Sequence, residues 1–451
     1  MNEALLLLLL GLVAIPLVTT IQRPARIFEF PAFMAFTFAV FVLPQAVSLI
    51  SFPGDIDAES VSAVLAMCCL CMFACIAGYR LAPSRLMVHW ASRRIDLGKL
   101  FHAGVVFAVT GLGMRAVLAG TEVQYAGGTG GMTGTGTLVL FFQQLAYPGF
   151  AILLFCALRR PHLPLIAATL ISLIVPLGDV VVGRRENLAI LLLTIGLALF
   201  YERRVVPPRA AIAAALLFGM LAIPATYQYR QYAAAEDWAG VTNIDLVDNF
   251  KRFVGEESIL ELRNAAAVVE STRRLGSYQF GMGYWNHLVF RFVPAQLVGA
   301  DLKRSLMFEV WDVTLGTESG FRFPRGSTMT GMGDTFAQFG WLGCLYFVFM
   351  AVLFKGLWQA SLSRDAMFAR VMYVLTVTSG MRAVTHWTAD FLPGLIYFSV
   401  FVGLAGFYAA VPAAVATVGA GGVGRSVPGG ATAWVPRRAS YPGAGRPVGR
   451  A

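Results

Sequence analysis

Five arginines stand where a membrane-spanning sequence should carry none. Arg115, Arg184, Arg185, Arg230 and Arg382 lie within or beside long apolar runs, on the side of the bilayer whose short connections are free of cations. A charge held at membrane depth costs at least about 2.5 to 3.5 kcal/mol on an insertion scale, so it persists where it faces a partner or a polar cavity. Arginine's planar fork binds phosphate or carboxylate through paired hydrogen bonds and stays charged at any accessible pH. Five at one level predict an anion site, and a diphosphate would engage several of them. A structural reading is open for each: Arg184 can pair with Glu186 or Asp179, Arg382 can pair with Asp390, and Arg115 can snorkel to the surface. Carboxylates in that layer are too few to neutralise all five together.

Groups able to move a proton are fewer. His287, in Tyr-Trp-Asn-His, and His386 lie on the same side as the arginines, and either suits a general base because an unperturbed histidine titrates near neutrality. Both also fit a hydrogen-bonding role in the fold. Asp334 follows Gly331 and Gly333 just ahead of an apolar run, as a base or as a helix N-cap. The six cysteines, Cys68, Cys69, Cys71, Cys75, Cys156 and Cys344, all fall inside apolar runs, which argues against a disulfide framework or a zinc site. No metal or cofactor is expected.

The elements that position these residues follow from composition. With 57% hydrophobic and 13% charged residues, and a mean hydropathy of +0.68, the chain has lipid as its main solvent. Runs long enough to span roughly 30 Å of hydrocarbon cover residues 3–20, 31–52, 61–79, 100–119, 137–158, 163–182, 187–201, 210–226, 337–354, 371–387 and 391–412. An all-α polytopic membrane protein of about eleven spans is the expectation. Glu3 stands where a signal peptide would carry a cation, so the first run reads as a retained helix.

Cations set the orientation, because short loops rich in lysine and arginine stay in the cytoplasm. Arg23 and Arg26, then Arg80 to Lys99, Arg159 and Arg160, Arg203 to Arg209, and Lys355 to Arg370 occupy every second connection. The alternate connections from Pro53 and from Gly120 to Gly136 carry none. The N-terminus is therefore expected outside and the C-terminus in the cytoplasm. The net charge of +10 comes from cations scattered between apolar runs, which speaks for topology and against nucleic acid.

Four regions result: spans one to eight over 1–226, a large external loop over 227–336, spans nine to eleven over 337–412, and an Ala/Gly/Pro/Arg-rich cytoplasmic tail over 413–451, too poor in large apolar groups to fold. Loops as long as the second region are usually functional. Ile244, Val247, Phe250, Val254, Ile259 and Leu262 make one apolar stripe there, which predicts an amphipathic helix lying on the bilayer surface.

The chain resembles the O-antigen and exopolysaccharide repeat-unit polymerases, the Wzy-type bacterial membrane glycosyltransferases. The likeness rests on ten or more spans, a Gly-Arg-Arg-Glu turn from Gly183 ahead of a Leu-rich helix, and one dominant outer loop in the second half. It rests also on Gly326 to Gly343, a Gly-rich approach, acidic residue, aromatic and Phe-Gly-x-x-Gly at a helix start, and on Arg291-Phe-Val-Pro294. Arg185 to Gly196 and Arg322 to Gly333 each fit an Arg-x10-Gly pattern. Where relatives continue into Trp-x-x-Lys-Pro this chain runs Ala295 to Lys303, so no role carries over to Lys303.

The resemblance implies transfer of a growing glycan from an undecaprenyl diphosphate carrier onto the next lipid-linked repeat unit. Arg115, Arg184, Arg185, Arg230 and Arg382 would hold the diphosphate, and His287 or Asp334 would deprotonate the acceptor hydroxyl. Tyr284 and Trp285, with Arg291 and Arg322, would contact sugar. Partners would be the undecaprenyl-diphosphate-linked oligosaccharide, membrane lipid, a chain-length regulator and a flippase. The alternatives are an O-antigen ligase, which uses the same donor, and a polysaccharide or lipid transporter, for which internal repeats and mid-bilayer charges would be expected.

Overall fold

A computed structural model describes residues 1–81, 94–121, 124–125, 132–182, 185–255, 261–311, 316–317, 323, 327–363 and 366–411. Among them, nine helices are long and apolar enough to cross a membrane. These are α1 (Asn2–Gln22), α2 (Phe30–Ser51), α3 (Ala58–Gly78), α4 (Leu97–Ala119), α5 (Thr135–Arg159), α6 (Leu163–Val181), α8 (Arg209–Ala234), α12 (Thr330–Ser361) and α14 (Thr388–Tyr408). The chain is thus an all-helical, polytopic membrane protein. The strand pairing among the described residues is a two-residue ladder, Gln124–Tyr125 with Met132–Thr133.

The seventh and tenth predicted spans are also helices, α7 (Arg185–Arg203) and α13 (Met367–Thr385), but less apolar. The packing of α13 explains why. It touches α2, α5, α7, α12 and α14, so protein shields it from lipid. Its side chains answer to hydrogen-bond partners instead: Tyr373 Oη donates to the Phe28 carbonyl at 2.8 Å.

The region between α8 and α12 departs from expectation. The stripe from Ile244 to Leu262 does not form one surface helix. It divides into α9 (Leu246–Gly255), packed on α8 and α2, and the start of α10 (Glu261–Leu275), while Ile259 lies outside the described residues. α10 is buried from Leu262 to Thr272 against α2, α3 and α12. Its run of alanines allows that approach, and its polar groups are bonded locally. Gln45 Oε1 accepts from the Leu262 amide at 2.8 Å, and Asn264 Nδ2 donates to the Thr328 carbonyl at 2.7 Å. α11 (Met282–Phe292) follows, led by left-handed Phe280 and Gly281.

Two boundaries move. α8 runs on to Ala234, and α12 begins at Thr330. The Gly-rich segment explains the second shift, because it is a packing seam: a Cβ on Gly331 would stand 1.9 Å from the Ala383 carbonyl oxygen, and one on Gly333 2.8 Å from Ala265 Cα. At the Phe-Gly step α12 kinks through Gly340, whose φ of +59° favours glycine.

Candidate functional site

The C-terminal ends of α4, α6, α8 and α13 meet the N-terminal ends of α7 and α14. The polar residues at those ends surround a cavity of ≈ 430 Å³. Arg230 comes from α8, Arg382 and His386 from the end of α13, and Asp390 from the first turn of α14. α11 brings His287 and Arg291 over the same space, one helical turn apart. α5 breaks after Gln143 and supplies Gln143, Gln144 and Tyr147, while α6 supplies Asp179 and α7 Asn187.

At its centre is a three-residue relay. His287 Nε2 lies 2.7 Å from Asp390 Oδ1, and Arg382 lies 3.0 Å from Asp390 Oδ2. A neutral histidine that donates from Nε2 keeps its lone pair on Nδ1, so Asp390 fixes both the ring's orientation and which nitrogen is basic. Arg382 engages the second carboxylate oxygen. The pairing of Arg382 with Asp390, open as a structural alternative in the sequence, is therefore present, and it is joined to a histidine that lines a cavity.

Asp334 is placed beneath this relay and not among the cavity's lining residues. Its buried Oδ2 accepts from Thr388 Oγ1 at 2.6 Å and from the Ala389 amide at 2.9 Å. These are the two residues preceding Asp390, so Asp334 is a positioning residue for the relay. Tyr284 serves the same corner, with its hydroxyl 2.7 Å from Thr388 Oγ1. Burial pushes the Tyr284 phenol well above its ordinary range, and the nearby Asp334 carboxylate adds to this, so the hydroxyl stays protonated.

The expected sugar contacts are redistributed. Tyr284 is packed between Phe339 and Tyr346, and Trp285 donates Nε1 to the Leu306 carbonyl at 2.8 Å; neither lines the cavity. The aromatic residues that do are Tyr147, Tyr397 and Phe398. Arg291 lines it, with its guanidinium 2.5 Å from Gln144 Oε1. Lys303 lies elsewhere, over the Phe290 ring and 3.1 Å from the Phe290 carbonyl, and desolvation lowers its pKa.

Of the five arginines, Arg230 and Arg382 line the cavity and Arg115 reaches its edge by bonding Asp179 at 3.1 Å. Arg115 thus has a carboxylate partner. Arg184, Arg322 and the Arg185 side chain lie outside the described residues, although Asn187, two positions after Arg185, is part of the lining. Gln143 and Tyr147 fall inside the predicted run 137–158 and had no chemical signature in sequence, while Asp179 was legible only as a candidate partner for Arg184. Among the described residues there is no cluster of metal-ligating side chains.

Around this space the described lining holds three arginines and two aspartates, one aspartate being engaged by Arg115. Such a site favours an anion. No family model matches the chain, and no curated protein or solved structure matches it. The functional reading therefore rests on the residues themselves and on the likeness of their motifs.

Proposed function

We propose that the chain is a membrane glycosyltransferase that polymerises lipid-linked oligosaccharide repeat units, moving a growing glycan from undecaprenyl diphosphate to the next unit at the outer face of a bacterial inner membrane. With α7 and α13 counted as crossings, eleven spans would leave the termini on opposite sides, and the distribution of cations favours an external N-terminus and cavity with a cytoplasmic C-terminus. The observation that carries the reading is the His287–Asp390–Arg382 relay opening into a cavity that Arg230 and Arg291 also line.

In this reading His287 Nδ1 takes the proton of the acceptor sugar's hydroxyl. The freed oxygen forms the new glycosidic bond as the bond between the donor's anomeric carbon and the diphosphate oxygen breaks. Undecaprenyl diphosphate departs with the electron pair, and arginines already aimed at that position stabilise its charge without reorganising. Asp390 stabilises the imidazolium that forms, and bulk water later removes the proton.

The same donor would serve an O-antigen ligase, and one experiment separates the readings. A strain lacking this chain should accumulate single repeat units on the lipid carrier, and an Arg382→Ala copy should leave that state uncorrected while the protein remains in the membrane. Full-length polymer on the carrier in the deletion strain would instead indicate a ligase. Repeat units retained on the cytoplasmic leaflet would indicate a transporter.

A further inference from the structure

The segment that follows α11 turns its large apolar side chains outward. After Pro294 come two short helical turns, Ala295–Val298 and Ala300–Ser305. Leu297 is 74% exposed, and Phe290, Leu302 and Phe308 are 52 to 53% exposed. Apolar side chains exposed together in this way mark an interaction surface. Hydrogen bonds fasten the segment to α11. Trp285 Nε1 donates to the Leu306 carbonyl at 2.8 Å, Asn286 Nδ2 donates to the Phe308 carbonyl at 2.8 Å, and Asn286 Oδ1 accepts from the Phe308 amide at 2.8 Å.

Its depth follows from α5. Gln296 Nε2 donates to the Gly134 carbonyl at 2.6 Å, the Phe292 ring meets the Phe141 ring edge-on at 6.2 Å, and Arg291 bonds Gln144. The end of α11 and the start of the segment therefore run beside the first turns of a spanning helix. That helix has 25 residues, which at 1.5 Å each makes it about 37 Å long. Hydrocarbon accounts for about 30 Å of a bilayer and headgroups extend it to about 40–45 Å, so the first turns of α5 stand where headgroups meet acyl chains. α5 presents the exposed ring of Phe142 in the same stretch. Two cations border the patch: Lys303 lies with Nζ 4.7 Å from the Phe290 ring centroid, and Arg304 sits in an exposed pair with Asp301 at 3.6 Å.

We propose that residues 294–308 form an interfacial anchor seated in the leaflet at the cavity end. Leu297, Leu302 and Phe308 enter the acyl chains, while Lys303 and Arg304 lay their stems along the patch and hold their charges at the phosphates. The partner is the lipid surface itself. α11 is bonded to this anchor and carries His287 and Arg291 over the cavity, so the seated anchor holds both residues in place. This anchoring is independent of which reaction the cavity performs.

The test uses the full chain in nanodiscs of phosphatidylcholine and phosphatidylglycerol, with a nitroxide at Leu302→Cys or at the exposed loop position Asp55→Cys. Cys344→Ser serves as the background, because the other native cysteines are buried. At position 302 collisions with oxygen should exceed those with a water-soluble nickel chelate several-fold, and the order should reverse at position 55. Chelate-dominated collisions at 302 would overturn the anchor. Shielding of 302 from both reagents would overturn it too, by showing that protein covers the patch. A Leu297→Ser, Leu302→Ser double variant should keep the parent's thermal midpoint in detergent, since both side chains are exposed there, while amide exchange across 282–292 becomes several-fold faster in nanodiscs. Exchange at the parent's rate would overturn the anchor's hold on α11.

Discussion

The two ends of the bundle each gather arginines around a carboxylate, and they do so differently. At the end carrying the Arg159 and Arg370 termini, Glu202 takes Arg370 at 2.7 Å and Arg159 at 3.1 Å. The rest of the Arg370 guanidinium is satisfied too: Nε donates to the Ser361 carbonyl at 3.0 Å and a terminal nitrogen to the Ser363 carbonyl at 2.9 Å, while its face covers the Tyr201 ring. That cluster is closed. At the other end Asp390 joins Arg382 and His287, and the same groups line a cavity with Arg230 and Arg291. An arginine beside a bilayer is thus no indicator of function by itself. What distinguishes the candidate ligand site is that its guanidinium groups line an open volume.

That contrast predicts opposite outcomes for similar substitutions. The largest effect belongs to the open end: His287→Ala and Asp390→Asn should each lower transfer by about 10²- to 10⁴-fold, the usual contribution of positioned acid–base catalysis. Thermal midpoints should stay near the parent's. Retained turnover in both would remove the relay from the chemistry. At the closed end, Arg370→Ala leaves Glu202, only 6% exposed on its side chain, short of its main partner. Breaking a buried pair costs about 3 to 5 kcal/mol, so folded protein should fall, as read by a melt in detergent. A fully stable Arg370→Ala protein would erase the distinction between the ends.

Smaller effects sharpen the boundary between support and chemistry. Asp334→Ala strands the Ala389 amide and leaves the Thr388 hydroxyl only its Tyr284 contact, at a cost of about 1 to 3 kcal/mol. Because those groups set Asp390, turnover should fall while substrate affinity holds; loss of affinity alone would point to a direct ligand contact. Gly340→Ala should cost about 1 to 2 kcal/mol for its left-handed backbone, with further strain because a Cβ would lie 2.8 Å from the Tyr278 ring. It should lower stability without changing the ratio of turnover to affinity.

The spans were legible because lipid imposes one rule on whatever faces it, and α1 and α6 obey that rule along their length. The rule fails where protein is the solvent. α13 carries Arg370, Thr376 and Thr378 through the bundle centre, so its run is less apolar than the lipid-facing spans, and α10 buries Arg263, Asn264 and Glu270, so it shows no apolar run that hydropathy detects. The site was half legible. Cations out of place marked Arg230 and Arg382, and a histidine on the right side marked His287. Asp334 and Tyr284 were visible as residue types, but their support for the turn before Asp390 required the close approach that Gly331 permits. Asp179 was legible as a candidate partner for Arg184, but its bond to Arg115 required the packing of α4 against α6.

The most direct test is transfer by the purified chain in nanodiscs supplied with lipid-linked repeat units from a strain that lacks it. The account predicts a ladder of two or more units, one undecaprenyl diphosphate released per bond formed, and neither product with His287→Ala or Arg382→Ala. Intact repeat units carried across the bilayer without lengthening, or a ladder undiminished in both variants, would contradict it.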